Sequence, residues 1–403
     1  RICRICEQFP PIEGGLASGM LDLSLAQHER ENKLTVITRF APGAKKIDAK
    51  VPFPVIRIRC SSTLMFGLKA YRVMKNMTEL PDVVHTHGPS AFTCLMRKKI
   101  GDPPVVHTAH AVRKYQYGLF KDLPEMVKGF EEVLGERVSN PPRSFGPFDF
   151  YVWKEIFLEK RVFRQVDHIL VVADYFAEQI SSYYGIPRDK ITTSYNGSNF
   201  DQQSVFNADP FMLDNLAIDK DQPTILYVGR VDWVKRVHLL VEAMPGVLEK
   251  FPNACLLIAG KGNQEQDLAR LIRKLELEDS VKLLGWIPHA QLPALFKISC
   301  CFCLPSYWEG LSKSLLEAMS AGIPVVASDN LANREVLQNG ELGWLVSEPL
   351  PEAWSAAMKE ILSNGSDVQA KVVAAFDLLD TSYRWPKVAE RVDSAYAKVL
   401  DGK

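Results

Sequence analysis

The strongest constraint on what this chain can fold into is a recurrent unit, a short run of apolar residues leading into a longer stretch with helical spacing. It occurs in the first half at PDVVHTHG, PPVVHTAHA, DHILVVAD and KITTSYNG, and in the second at TILYVGRV, ACLLIAGKG, VKLLGWI, CCFCLPS and IPVVASD. A strand that is apolar throughout has both faces covered, and one that runs straight into a helix is a parallel βα unit. The repetition predicts an α/β chain with doubly wound parallel sheets. At 403 residues the chain exceeds a single core, and its length favours two domains of about 200 residues each.

Between the two sets of strands lies FDQQSVFNADPFMLDNLAIDKDQPT, a weakly periodic stretch rich in Asp and Asn, which reads as a passage between domains. The expected division is 1–205 and 206–384, and the amphipathic segment 385–403, with Pro386 in its first turn, is expected to pack back across the first domain. Two such sheets face to face form a deep cleft lined by the carboxyl ends of the strands, where doubly wound folds bind ligands.

Composition excludes several classes. Forty-eight basic residues balance 48 acidic ones, so a nucleic-acid partner gains no electrostatic support. No apolar run approaches the roughly 18 residues of a membrane span, and RICRICEQFPP opens on a strand-like segment without signal-peptide grammar, which points to a cytoplasmic protein. Peripheral membrane contact through scattered Lys, Arg and aromatic residues stays open, as does the oligomeric state. The eight cysteines (Cys3, Cys6, Cys60, Cys94, Cys255, Cys300, Cys301 and Cys303) read as small buried hydrophobes of a reducing compartment, since Cys3 and Cys6 point to opposite faces of one strand. No metal is expected.

The chemistry-bearing residues fall at strand ends. Gly14 and Gly15 follow the first strand and precede an apolar helix, so backbone amides there can approach a substrate or phosphate. The stretch is not G-x-G-x-x-G, which disfavours a dinucleotide, and a plain tight turn is the competing reading. In YVGRVDWVKRVHLLVEA, Arg230 follows a strand and Lys235 comes five residues later near a helix start. Two cations at a strand end suit a diphosphate, although solvated surface charges are the ordinary alternative. In PSYWEGLSKSLLEAMSAGIPVVAS, Glu309 precedes a helix, Glu317 lies within it, and the amides of 311–314 open its first turn. Amides that bind an anion, between carboxylates that accept from hydroxyls, fit a ligand with phosphates flanked by polyols.

Gly14-Gly15, Gly229-Arg230 with Lys235, Asn196-Gly197 and above all Glu309-x7-Glu317 resemble the GT-B glycosyltransferases of family 4, in order along nearly the whole chain. The resemblance implies two Rossmann-like domains and a retaining, metal-independent transfer of a sugar from a nucleotide-sugar donor, with the donor held mainly by the second domain. It implies that Glu309 contacts sugar hydroxyls, that Glu317 holds the ribose diol, and that Arg230 and Lys235 neutralise the diphosphate. Gly310, Leu311, Ser312 and Lys313 complete the donor side. His110 would contact the transferred sugar, with Arg113 and Lys114 beyond it on the acceptor side. The acceptor, whether small molecule, glycan or lipid-linked, is not indicated.

The chain departs from the family pattern in three places: Arg236 replaces the glycine that follows the motif lysine, Ser198-Asn199 follows Asn196-Gly197, and Leu311-Ser312-Lys313 follows Glu309-Gly310. These bear on the donor's identity more than on the reaction. The histidines His85, His87, His107 and His110 invite a metal reading, but alternate strand residues point apart and no carboxylate completes a set. The triplet Asp219-Lys220-Asp221 reads as a solvated linker. The aromatic-rich segment from Tyr115 to Trp153 is expected to overhang the first-domain side of the cleft and recognise the acceptor, with a partner interface as the alternative. Two rival functions share the fold: a nucleotide-sugar epimerase, which needs no acceptor, and a degenerate binding subunit, against which the intact Arg230, Lys235 and both glutamates argue.

Overall fold

Runs without a polar break become interior strands. The computed structural model describes residues 1–12, 14–88, 91, 95, 101–142, 150–198, 200, 202–208, 222–363 and 365–402; the Asp219-Lys220-Asp221 triplet and Cys94 lie outside the described residues. The first sheet contains β1 (Ile2–Ile5), β2 (Leu34–Arg39), β3 (Val55–Ile58), β4 (Val83–His87), β5 (Val105–Ala109), β6 (His168–Val171) and β7 (Ile191–Thr193), in the order β3-β2-β1-β4-β5-β6-β7. The second contains β8 (Thr224–Val228), β9 (Cys255–Ala259), β10 (Val281–Gly285), β11 (Cys301–Leu304), β12 (Val325–Ser328) and β13 (Trp344–Val346), in the order β10-β9-β8-β11-β12-β13. All pairings are parallel.

The strand order reverses between β1 and β4 in one sheet and between β8 and β11 in the other. Connections on the two sides of such a point leave in opposite directions and open a crevice at the carboxyl ends. The loops after β1, β8 and β11 carry most of the residues singled out in the sequence, and His110, Arg113 and Lys114 follow β5.

The chain divides into two compact units, one of Arg1–Gly118, Gly146–Gly197 and Ser382–Lys403, the other of Leu119–Phe145 and Ser198–Thr381. The division falls at Gly197 and Ser198 and not near residue 205, because the residues just past it pack on the second unit: Ser320 Oγ donates to Ser198 Oγ at 3.0 Å, and the Phe200 ring centroid lies 5.7 Å from that of Phe296.

The expectation for the segment from Tyr115 to Trp153 is corrected. Its middle belongs to the second unit, where the amphipathic helix Leu123–Leu134 places Phe130 with its ring centroid 5.6 Å from that of Trp233 and 4.9 Å from that of His238. The Trp233 indole donates to the Asn140 carbonyl at 2.9 Å, and Arg270 pairs with Glu136 at 2.7 Å. An apolar helix face packs where a matching surface exists, and here that surface is the start of the helix after β8. Residues 143–149 of the segment lie outside the described residues.

The final helix, Trp385–Asp401, packs in the first unit against the helix Gly15–Glu29. Its Val388, Ala389, Val392 and Ala395 share a core with Met20 and Leu23. A side chain at Gly197 would place its Cβ 2.4 Å from the Trp385 ring, which accounts for the glycine of the Asn196-Gly197 pair by close approach. Asp393 accepts from Gln27 at 2.6 Å and pairs with Arg30 at 2.8 Å.

Candidate functional site

In the second unit the loop after β8 is built tightly. The Tyr227 hydroxyl donates to the Arg230 carbonyl at 2.6 Å, and a Cβ on Gly229 would fall 2.7 Å from that hydroxyl, so the position takes glycine. Asp232 caps the short 3-10 turn Trp233–Lys235, accepting from the Lys235 amide at 3.2 Å, and also pairs with the Arg230 guanidinium. Lys235 turns inward, with its Nζ 2.5 Å from Glu309 Oε1, while the Arg230 side chain is 73% exposed. The two cations read as a diphosphate pair therefore meet different carboxylates.

Arg236 explains its own departure from the family pattern. Its backbone is left-handed, at φ 48°, the conformation that a glycine adopts at no steric cost. Its guanidinium donates to the Pro305 carbonyl at 2.9 Å and to Ser328 Oγ at 3.0 Å, and lies 5.4 Å from the centre of the Tyr307 ring. These bonds offset the strain and tie the loop after β8 to the loop after β11 and to the end of β12. Burial lowers its pKa to about 10.

After β11 the chain passes through Glu309, Gly310 and Leu311 to Ser312, whose hydroxyl caps the helix Lys313–Ser320 by accepting from the Leu315 amide at 3.3 Å. Glu317 lies one turn into that helix, facing His289 Nε2 at 2.7 Å and Lys313 Nζ at 3.9 Å through the same oxygen. Both glutamates are buried, and a buried carboxylate persists when it is paired and hydrogen-bonded. His289 was not singled out in the sequence: in WIPHAQL it is a lone polar residue between a strand and a helix, without a periodic or motif signal.

The first unit holds a cavity of about 330 Å³ whose lining includes Leu16, His87, His107, His110, Arg113 and Glu159. Gly14 precedes the helix Gly15–Glu29 with φ 126°, and Leu16 brings the start of that helix to the cavity wall. The four imidazoles are organised by hydrogen bonds. His87 Nδ1 lies 3.1 Å from His110 Nε2, His85 Nε2 lies 2.7 Å from Thr108 Oγ1, and His107 Nδ1 lies 3.0 Å from Thr86 Oγ1. The remaining nitrogen of His85 meets the Tyr396 hydroxyl of the final helix at 2.6 Å.

Burial dominates the charge state of this cluster. It lowers the pKa of His110 to about 4 and that of His107 to about 3, and holds His85 and His87 well below the ordinary range. Among the described residues no group of three or more His, Cys, Asp or Glu is placed to hold a metal ion. Glu159 accepts from the Arg113 amide at 2.8 Å and from the Tyr184 hydroxyl at 2.5 Å, yet burial still raises its pKa to about 7. Arg113 lines the cavity and donates to Gln116 at 2.8 Å, whereas the Lys114 ammonium sits 4.9 Å over the Tyr183 ring. Gly14, Gly15, His110, Arg113 and Lys114 thus belong to the first unit, and Gly229, Arg230, Lys235, Glu309, Gly310, Leu311, Ser312, Lys313 and Glu317 to the second.

Comparison with known proteins agrees with this assembly. Residues 13–202 match the model of Glycosyltransferase Family 4, and residues 209–375 that of Glycosyl transferases group 1. An uncharacterized glycosyltransferase of Methanocaldococcus jannaschii is 29% identical over 236 residues, covering 58% of this chain and 60% of that protein, so the chain spans less than two thirds of that relative. The phosphatidyl-myo-inositol mannosyltransferase of Mycobacterium leprae is 26% identical over 412 residues, covering 99% of this chain and 97% of that protein. Among solved structures, the Anabaena protein HepE in complex with UDP superposes with a TM-score of 0.75 at 16% identity, covering 99% of this chain and 100% of that one. Among the described residues no helix is long and apolar enough to cross a membrane.

Proposed function

The chain belongs to the GT-B glycosyltransferases of family 4, and from that premise we propose that it transfers a hexose from a nucleoside-diphosphate donor to an acceptor hydroxyl, with retention and without a metal ion. The observation that carries the reading is the pairing of two buried carboxylates with cations at the carboxyl end of the second sheet, Glu309 with Lys235 and Glu317 with His289 and Lys313. Breaking the sugar–phosphate bond leaves negative charge on the departing diphosphate, and fixed charges near it lower the barrier. In this reading Lys235, Arg230, Lys313 and the amides around Ser312 meet the diphosphate. Glu309 accepts from hydroxyls of the sugar, and Glu317 accepts from the ribose diol.

His110 is neutral in this cavity and contacts the sugar by hydrogen bonding, with Arg113 on the acceptor side. The donor class draws support from HepE, a fold neighbour solved with UDP. Retention and the front-face return of the acceptor rest on analogy with the family.

Thermal-shift titration with UDP, GDP, ADP and TDP sugars tests the donor assignment, since a ligand at one hundred times its dissociation constant adds about 2.7 kcal/mol of stability. One of the four is expected to stabilise the protein and to lose its sugar to an acceptor with the anomeric configuration kept. A donor rearranged in the absence of any acceptor would instead identify an epimerase, and stabilisation by none of the four would remove the proposal.

A further inference from the structure

The helix Phe150–Gln165 of the first unit has two unlike faces, and only one of them has a place in the function above. Its Glu155, Leu158, Glu159, Val162 and Phe163 line the cavity. At about 100° per residue, the positions opposite are Phe150, Trp153, Lys154, Phe157, Lys160, Arg161 and Arg164. Three of these are large aromatics in the open, Phe150 at 73%, Trp153 at 60% and Phe157 at 41% exposure. They stack in a line, with ring centroids 6.1 Å apart for the first pair and 5.4 Å for the second. Lys154, Arg161 and Arg164 are exposed beside them, and the Arg161 guanidinium lies 5.8 Å from the Phe157 ring centre. Both acids of the helix, Glu155 and Glu159, are on the cavity side.

We propose that this aromatic and basic face docks the protein onto an anionic membrane surface, with the helix lying in the plane of the interface. Trp and Phe settle at headgroup depth, and cations beside them meet the lipid phosphates. The chemistry favours a bilayer over other occupants. A symmetric contact with a second copy would set like charges against like. A row of three exposed rings suits an apolar medium, and the flanking cations make the attachment depend on lipid charge. The inference does not depend on the donor assignment.

The test is co-sedimentation of the intact protein with vesicles of phosphatidylglycerol and phosphatidylcholine in equal parts, compared with phosphatidylcholine alone, while Trp fluorescence is followed. The wild type is expected to sediment with the anionic vesicles only, to shift its emission to the blue, and to be released by salt. Each basic residue near such a surface contributes about 1 kcal/mol, or roughly fivefold in binding. Arg161→Glu with Arg164→Glu should therefore weaken attachment at least twenty-five-fold, on the order of two such losses combined. Trp153→Ser with Phe157→Ser should lower binding by a comparable factor and abolish the blue shift. Lys45→Glu with Lys46→Glu, which makes the same change of charge on an exposed helix elsewhere in the first unit, should bind as the wild type does. Circular dichroism and nucleoside diphosphate binding, measured on every variant, separate loss of the face from loss of the fold.

The proposal is overturned if the wild type ignores anionic vesicles, if it binds both lipids equally, or if the control charge reversal is as damaging as that on the helix. It is also overturned if sedimentation shows the face holding two copies together with no lipid binding. Absence of any nucleotide-sugar activity would leave the vesicle result standing, so failure of the donor assignment and failure of this one are distinguishable.

Discussion

The polar clusters singled out in the two units are built in opposite ways. The second keeps charges and pairs them, Lys235 with Glu309 and Glu317 with Lys313 and His289. The first keeps its imidazoles neutral: burial pushes them far below their ordinary range, and it raises the Glu159 carboxyl to about 7. A fixed charge answers a charge that develops during reaction, whereas a neutral hydrogen-bonding wall suits hydroxyls, which carry none. Under the proposed function, the contrast assigns electrostatic work to one cluster and hydrogen bonding to the other.

The largest effect expected on this contrast is that of Lys235→Ala, which removes a cation that the proposed function aims at the departing diphosphate. Turnover should fall by about two orders of magnitude or more, with binding of the free nucleoside little changed. Wild-type turnover in the folded variant would put the phosphate elsewhere.

Next come the two glutamates, which should fail differently. Glu317→Ala is expected to weaken both nucleoside diphosphate and intact donor by about 1.5–3 kcal/mol, the worth of a charge-assisted hydrogen bond. Glu309→Ala should leave the nucleoside diphosphate nearly unaffected and impair transfer, because the proposal puts its partner hydroxyls on the sugar. Calorimetric titration with each ligand separates the two, and identical behaviour in both variants would sink the assignment.

Acid should find the first unit before the second. His85, His87, His107, His110 and His168 of the first unit have folded pKa values depressed by burial, against His238 alone among the shifted histidines of the second. A depressed folded value gives stability that is whole above the unfolded pKa of about 6.5 and is lost as pH falls through the folded one, a tenfold difference in proton affinity amounting to about 1.4 kcal/mol. Glu159 runs the other way, its contribution being full below the unfolded carboxyl value and lost as pH rises toward about 7. Amide exchange resolved by unit should therefore show the first unit opening earlier between about pH 6.5 and 4. Simultaneous opening would mean that the histidines do not govern acid stability.

Gly197→Ala tests the packing in the first unit. Its Cβ would meet the Trp385 ring at 2.4 Å, and overpacking of this kind costs about 1–3 kcal/mol, visible as a lowered melting temperature. The smallest effect expected is that of a chelator. If Lys, Arg and helix amides meet the phosphate charge, activity should persist in excess EDTA, and a loss restored by magnesium or manganese would refute the metal-independent mechanism.

Legibility of these features in the sequence followed their physical origin. Continuous apolar runs such as TILYV and CFCL announced β8 and β11, because interior strands of a parallel sheet have no solvent face. β3 and β13 were not foreseen: they are edge strands of four and three residues, half-buried, with no pattern long enough to separate them from loops. β2 was missed because the Thr and Arg of LTVITR break its apolar run. Glu309 and Glu317 stood out because carboxylates in an apolar segment require compensation, and Arg236 because it replaced a glycine. The partners of these residues were not legible. Nothing in the order of residues tells that Glu317 meets His289, or that the helix around Phe130 chooses Trp233, because those contacts are made by tertiary geometry.

The return of the last helix to the first unit also sets an order of events during synthesis. Residues 198–381, which build most of the second unit, are translated after Gly19 and Gly197 and before Trp385, the ring that packs on both glycines. At roughly 5–20 residues per second, that interval is on the order of ten seconds or longer. Throughout it, Met20 and Leu23 lack the helix that covers them in the finished core. Of the two units, the one begun first is thus completed last, and until the helix Trp385–Asp401 has been made the apolar side chains that it covers stay uncovered by it.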